Sequence, residues 1–398
     1  MNKQIRFIVV SLIVLSFFIL GANSNLLAKQ GFELKYTPIY EELKLELSQP
    51  EMKIDQFFNP LESLERRISL EKVDLIAPHI NQAQNIKGLY ISGWAAGSPR
   101  RLERLMNEVE KSDLNAVVID LKDAAGRITF SKDFGAASRE AMIRDLKGLI
   151  AEFQRRGVYV IGRQVLFKDA ILAQQDEYAL QYYVGEEKEI IHSKKWSNPY
   201  SKEVWDYNLK IAQQAIDLGL DELKFDYIRF PTLAQESGLT IREEEEQSKS
   251  DIIVDFLEYA NQELDKQEVL ISADVFGLTT TIEGDLGIGQ DITKMVDHLD
   301  YISPMIYPSH YSPNMYGLVN PDVAPYELIY RSLADAKEKL GEESYKLRPW
   351  LQDFSMHHGY GEKEVREQIE AVKDSQVSGW LLWNPRSVYT IDAVINDE

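Results

Sequence analysis

Cysteine is missing from all 398 residues. That excludes disulfides, thiolate catalysis and cysteine-ligated zinc, although it does not fix the compartment. Positive charge is scarce: 44 Lys and Arg stand against 64 Asp and Glu, a formal net charge of −20. Such a surface repels nucleic acid unless one face is locally basic, and the sequence contains no basic run. The one dense charge run, Glu243 to Glu246, is acidic and reads as a solvated helix start. Histidine is also rare, and the adjacent His357-His358 pair has no ligand spacing, so no metal is expected. No Walker-type phosphate loop occurs. The stretch Gly93-Trp94-Ala95-Ala96-Gly97-Ser98 is a poor dinucleotide fingerprint, so no cofactor is expected either.

The run from Phe7 to Leu20 is apolar but shorter than the ~20 residues that comfortably span a bilayer. Lys3 and Arg6 precede it, and Gly21, Ala22, Asn23 and Ser24 follow. This charged, apolar, small-residue order is that of a secretory signal, with cleavage after Ser24 or Ala28. Residues 1–28 are therefore read as a signal peptide, with an uncleaved membrane anchor through residues 7–20 as the rival. On either reading the remaining chain is secreted or otherwise extracytoplasmic. Residues 29–85 form an N-terminal extension, charged and interrupted by Pro38, Pro50, Pro60 and Pro78.

From residue 86 to 398 short apolar runs alternate with amphipathic stretches, the mark of βαβ units and a parallel sheet. The candidate strands are Lys87–Ser92, Ala116–Leu121, Val158–Val165, Glu222–Ile228, Val269–Phe276, Tyr301–Ile306, Leu347–Leu351 and Gly379–Trp383. Candidate helices lie between them at Arg100–Lys111, Ser138–Arg156, Lys202–Leu218, Gln247–Lys266, Pro325–Leu340 and Glu362–Asp374, with a short one at Asp291–His298. Eight strands are the number that closes a (β/α)8 TIM barrel, so the expected fold is α/β: a barrel preceded by the signal or anchor segment and a short extension.

In such a barrel chemistry sits at the C-terminal strand ends, and polar residues collect there. Asp226 and Asp274 lie late in the fourth and fifth strands, each inside an apolar run. Alternation puts Lys224 with Asp226 on one face, and Ser272 with Asp274. On adjacent strands ~4.8 Å apart, two inward carboxyls can reach the ~5–5.5 Å spacing of a retaining glycosidase. Burial of one and a charge partner on the other would separate acid from nucleophile. Asp120 and Asp123 either orient sugar hydroxyls or close a βα turn. Arg163 and Arg229 either fix a carboxylate or serve a structural ion pair. Tyr307 and His310 are candidate subsite residues, as are Gln352, Asp353 and Asn384 at the last two strand ends. Trp94, Trp350, Trp380 and Trp383 are candidate stacking platforms, one or two of which are expected to stack while the rest pack in the core.

Lys87-Gly88-Leu89-Tyr90-Ile91-Ser92, Ala116-Val117-Val118-Ile119-Asp120-Leu121-Lys122-Asp123, Phe225-Asp226-Tyr227-Ile228-Arg229-Phe230-Pro231, Pro304-Met305-Ile306-Tyr307-Pro308-Ser309-His310-Tyr311 and Trp350-Leu351-Gln352-Asp353-Phe354 together resemble the DUF4015 family of glycosyl hydrolase-like domains. The resemblance runs from about Ile86 to the C-terminus, and Phe225–Pro231 is its most specific element. It implies kinship with barrel hydrolases of the α-amylase superfamily, in which an Asp after the fourth strand is the nucleophile and an acid after the fifth is the general acid/base. Those positions are Asp226 and Asp274. The chain departs from amylases in carrying Asp rather than Glu on the fifth strand, and Gln352-Asp353 rather than His-Asp on the seventh. The expected function is hydrolysis of a polysaccharide or oligosaccharide; the alternative is a non-catalytic glycan-binding barrel of the cell envelope. If the signal is cleaved, N-terminal sequencing of the exported protein will start near Asn25 or Lys29; an intact Met1 on a membrane-bound chain would establish the anchor instead.

Overall fold

The computed structural model describes residues 83–185, 188–233, 238–242, 247–264 and 269–395. The signal or anchor segment 1–28, nearly all of the extension 29–85 and the acidic run 243–246 lie outside the described residues. No described helix is long and apolar enough to cross a membrane.

Strands β1 (Ile86–Ile91), β2 (Ala116–Lys122), β3 (Tyr159–Val165), β6 (Glu222–Asp226), β8 (Leu270–Phe276), β9 (Tyr301–Met305), β10 (Trp350–Gln352) and β11 (Gly379–Trp383) form a closed parallel barrel, with β1 pairing both β2 and β11. These are the eight strands expected from the sequence, and the fold is the (β/α)8 TIM barrel. Helices lie between most of them, at Pro99–Glu110, Leu146–Arg155, Lys202–Ile216, Lys249–Leu264, Pro325–Leu340 and Glu362–Ser375. The second of these helices begins eight residues later than its periodicity suggests. Asp145 takes the N-cap, accepting from Gly148 N at 2.8 Å, so the segment before it cannot continue the helix.

One element has no counterpart in the sequence reading. Between β3 and the helix Lys202–Ile216 the chain makes a hairpin, β4 (Ala179–Val184) and β5 (Glu189–Ser197), which β7 (Leu239–Ile241) joins on its other edge. Its turn uses Gly185 and Lys188 at φ values of 67° and 54°. Its strands, Ala179-Leu180-Gln181-Tyr182-Tyr183-Val184 and Glu189-Ile190-Ile191-His192-Ser193-Lys194-Lys195-Trp196-Ser197, follow no clean alternation and are only partly buried, so the continuous apolar runs of the barrel overshadow them.

Alternation divides the core in two. Outward residues such as Val117, Ile119, Val160, Leu223, Phe225, Ala273 and Val275 meet the helices in one large cluster. Inward residues Ile86, Tyr90, Ala116, Val118, Tyr159, Ile161, Tyr301, Trp350 and Leu381 form a second cluster in the lumen. The lumen is not apolar throughout. Glu222, Lys224 and Asp226, at alternate positions of β6, are all buried there. At its floor Arg348 Nη1 donates to Glu222 at 2.8 and 3.0 Å, Arg348 stacks 3.7 Å from the Tyr301 ring, and Ser272 donates to Glu222 at 2.5 Å. Burial alone would raise the Glu222 carboxyl, but Arg348, Lys224 and these bonds outweigh it and hold it below its ordinary value. A register shift between Asp120 and Lys122 turns Lys122 out of the lumen, to pair with Asp169 at 2.8 Å and Asn208 at 2.8 Å.

Removing one partner of a fully buried pair leaves an uncompensated charge. Arg348→Met should therefore cost about 3–5 kcal/mol, read as a lower urea midpoint at unchanged slope. Adding Glu222→Gln should recover much of that loss. A single-variant cost near zero would show that the floor pair does not hold the barrel.

Candidate active site

The polar ends of the barrel strands converge on Arg163. Its Nη1 donates to Asp120 Oδ1 at 2.5 Å, its Nε donates to Asp226 Oδ2 at 3.0 Å, and its Nη2 donates to the same oxygen. Asp274 Oδ2 lies 4.0 Å from Arg163 Nε. Both Oδ2 atoms thus sit on one nitrogen, at 3.0 and 4.0 Å, and are at most 7.0 Å apart. Asp226 is further fixed by Tyr227 N, which donates to its Oδ1 at 2.5 Å while Tyr227 takes a left-handed φ of 49°.

Asp274 has different surroundings. Trp350 Nε1 donates to its Oδ1 at 2.7 Å, and Lys224 Nζ lies 3.4 Å from the same oxygen. Lys224 is also held by Ser303 Oγ at 2.8 Å. Burial pushes the Asp274 carboxyl up to about 7; Lys224 opposes the shift, and the neighbouring Asp226 charge adds to it. The Asp120 carboxyl is also raised by burial, against Arg163 and the 2.5 Å bond that Tyr90 donates to it. Tyr307 is buried beside these groups, and burial, then Asp274 and Asp226, raise its hydroxyl. Trp383 roofs the cluster: its ring stacks on Tyr90 at 4.0 Å and lies 5.0 Å from the Arg163 guanidinium.

The structure therefore brings together Asp226, Asp274, Asp120, Arg163, Tyr307, Trp350 and Trp383. Other sequence candidates serve the frame. Asp123 closes the βα turn, accepting from Ala125 N at 2.9 Å and pairing with Arg127 at 2.7 Å, because Gly126 at φ 86° reverses the chain beneath it. Gln352 is buried and ties Ser309 to Phe354 through bonds of 2.8 and 2.9 Å. Asp353 accepts twice from Thr390 at 2.8 Å, and Asn384 bonds the Asp353 carbonyl at 2.5 Å, so both fasten the segment after the last strand. Trp350 and Trp380 are buried packing residues, and Trp350 contributes a donor rather than a stacking face. His310 is exposed at the rim, 5.3 Å from the Tyr307 ring. Arg229 forms no ion pair with a described carboxylate and lies among aromatic rings. Tyr90, Glu222 and Arg348 were not among the candidates; the alternation Glu222-Leu223-Lys224-Phe225-Asp226 was the available signal for a charged lumen.

Among the described residues, no cluster of three His, Asp or Glu is arranged to hold a metal ion.

No curated protein matches the chain. Among solved structures, it is similar to the glycoside hydrolase domain of PgaB (BpsB) from Bordetella bronchiseptica, at 12% identity and a TM-score of 0.57, over 79% of this chain and 99% of that one. It is also similar to a hypothetical protein from Ruminiclostridium thermocellum, at 31% identity and a TM-score of 0.40, over 47% of this chain and 97% of that one. The first likeness concerns the fold alone. The family model described as "Putative glycosyl hydrolase domain" matches residues 88–389, from within β1 to beyond β11, and the chain belongs to that family, DUF4015.

Proposed function

We propose that this is an exported glycoside hydrolase that cleaves a polysaccharide or oligosaccharide by a retaining, two-carboxylate mechanism. The observation that carries the reading is the unequal pair at the barrel mouth: Asp226 is held by Arg163, while the Asp274 carboxyl is pushed up to about 7. Asp226 attacks the anomeric carbon, which forms a glycosyl-enzyme ester as the glycosidic C–O bond breaks. Asp274 gives its proton to the departing oxygen, then takes one from the water that opens the ester. The ceiling of 7.0 Å between the two Oδ2 atoms admits the ~5–5.5 Å spacing of a retaining pair and leaves out most of the ~6.5–9.5 Å inverting range. Trp383, 5.0 Å from Arg163, and the buried Tyr307 ring offer apolar surface beside the pair, suited to a sugar face. Export rests on the charged, apolar, small-residue order of residues 3–24.

One observation favours the glycan-binding alternative: the Asp226 and Asp274 side chains are only 6% and 1% exposed. Turnover requires a substrate to reach both, whereas binding alone does not.

Hydrolysis of a polysaccharide panel separates the two readings. With a substrate in hand, Asp226→Asn should abolish turnover while the fold persists, since the amide keeps shape and loses charge. Asp274→Asn should cost ~10²–10⁴-fold on unactivated glycosides, and far less on aryl glycosides whose leaving group needs no proton. Near-normal turnover by Asp226→Asn would overturn the assignment, and binding without hydrolysis by the native chain would establish the alternative.

The pH dependence follows from the raised Asp274 carboxyl. Its protonated form is the working one, so kcat/KM should fall as pH rises through about 7. That limb should vanish in Asp274→Asn with an activated aryl glycoside. A descending limb unchanged in that variant would assign the proton to another group.

A further inference from the structure

Just past Asp226 the chain leaves the lumen and places Arg229 in a cage of rings. Its guanidinium carbon lies 4.4 Å from the Phe276 ring, 4.9 Å from Trp196 and 5.0 Å from Tyr227. The three rings come from different elements: the end of β8, the end of β5 and the turn after β6. Phe276 lies two residues beyond Asp274 on the same face of β8, one step nearer the mouth. The cage therefore stands at the catalytic end of the barrel, beside the carboxylate pair.

Arg229 is 7% exposed, yet its one hydrogen bond is from Nη1 to the Phe230 carbonyl, at 2.8 Å. A buried guanidinium normally has a carboxylate, because its five donors and its charge otherwise go uncompensated. Among the described residues none is paired with it. Lys168 stands alongside, its Nζ 3.3 Å from the Tyr227 hydroxyl and 4.5 Å from that ring, and it too forms no ion pair with a described carboxylate. Asp226 acts on Arg229 only at longer range, and its Oδ2 is already bonded by Arg163. A loop that needed only fixing would be served by the rings without a charge. A free planar fork on an aromatic wall is suited to a carboxylate carried on a sugar ring: the fork binds the anion while the rings pack the apolar sugar face.

We propose that Arg229, with Lys168, forms an anion subsite that selects a carboxylate-bearing sugar, of uronic acid type, next to Asp226. The sugar ring rests on the glycoside hydrolase reading of the site; the anion preference does not depend on turnover. The chain's net charge of −20 repels an acidic polymer at long range, so the subsite must act by direct contact, and raising ionic strength should weaken it little.

Calorimetric titration of the native protein tests this apart from catalysis. The probes are glucuronate and galacturonate, their neutral parents glucose and galactose, and the two parent 6-phosphates. A uronate should bind at least about tenfold more tightly than its parent. Arg229→Met, which keeps the stem against the rings, should erase that preference and change neutral-sugar binding less than about twofold. Lys168→Met should reduce the preference in part. Preference for the 6-phosphates alone would overturn the carboxylate assignment. Equal or absent binding of uronates and neutral sugars would overturn the subsite, as would a uronate preference surviving in a folded Arg229→Met. Uronate preference in a native protein that hydrolyses no glycan would leave the subsite standing and remove the hydrolase reading instead.

Discussion

Everything in the lumen depends on neutralising charge where water is scarce. The carboxyls of Glu222, Asp226, Asp274 and Asp120 and the cations Lys224, Arg163 and Arg348 are all buried inside one ring of strands. Barrel interiors are ordinarily filled by branched apolar side chains. Here four carboxyls share three cations, so one negative charge has no partner. A buried, unpaired carboxylate is costly enough that the group takes a proton instead. That excess is expressed in the carboxyls that burial raises, Asp120 and Asp274, the latter to about 7. It reaches Asp274 because Asp226 has the stronger claim on Arg163, with two donors on one oxygen against a single 4.0 Å approach.

This arrangement makes the raised Asp274 carboxyl a property of the whole column. Lys224 touches Asp274 at 3.4 Å and Glu222 at 3.9 Å, linking mouth to floor. Arg348 holds Glu222 at the floor, which leaves Lys224 to serve Asp274. A change at the floor thus shifts the charge that Lys224 presents above it, and the floor pair bears on the protonation of Asp274 as well as on stability. Arg163 plays the matching part at the mouth, where it is the one cation shared by Asp120, Asp226 and Asp274.

The barrel was legible because its strands are buried on both sides and so read as apolar runs in a sequence of alternating elements. The inward placement of Asp226 and Asp274 was legible for the same reason: each carboxyl stands out inside an apolar run, and no helix start follows to use it as a cap. The hairpin Ala179–Ser197 was not, since a half-exposed strand pair beside an acidic turn resembles a loop. Nor were the roles of Asp353, Asn384 and Gln352. A polar residue at a strand end looks alike whether it faces substrate or fastens the next segment, and only the partners Thr390 and Ser309 decide it. Lys122 shows the limit of alternation. Two residues after Asp120 it belongs on the inward face by count, and a one-residue register shift sends it outward.

The strand Glu222–Asp226 and its extension to Pro231 carry both the floor pair and the ring-lined cation Arg229 on one segment. Period two carries Glu222, Lys224 and Asp226 up the lumen in steps of ~6.6 Å, from floor pair to mouth. Tyr227 at φ 49° then ends the alternation, since a left-handed residue cannot continue a strand. The barrel ladder does not break there at once: Leu166 N and Phe167 N still reach the carbonyls of Asp226 and Tyr227 at 2.8 and 3.3 Å. The strained residue is thus clamped on its β3 side while the chain beyond it turns away. Had the strand run on regularly, residue 228 would have pointed inward and Arg229 outward into the helix layer. Instead Ile228 is buried in the outer core and Arg229 lies over the rings at the rim. The strain at Tyr227 is what converts a structural strand into one that ends in a cation beside the carboxylates.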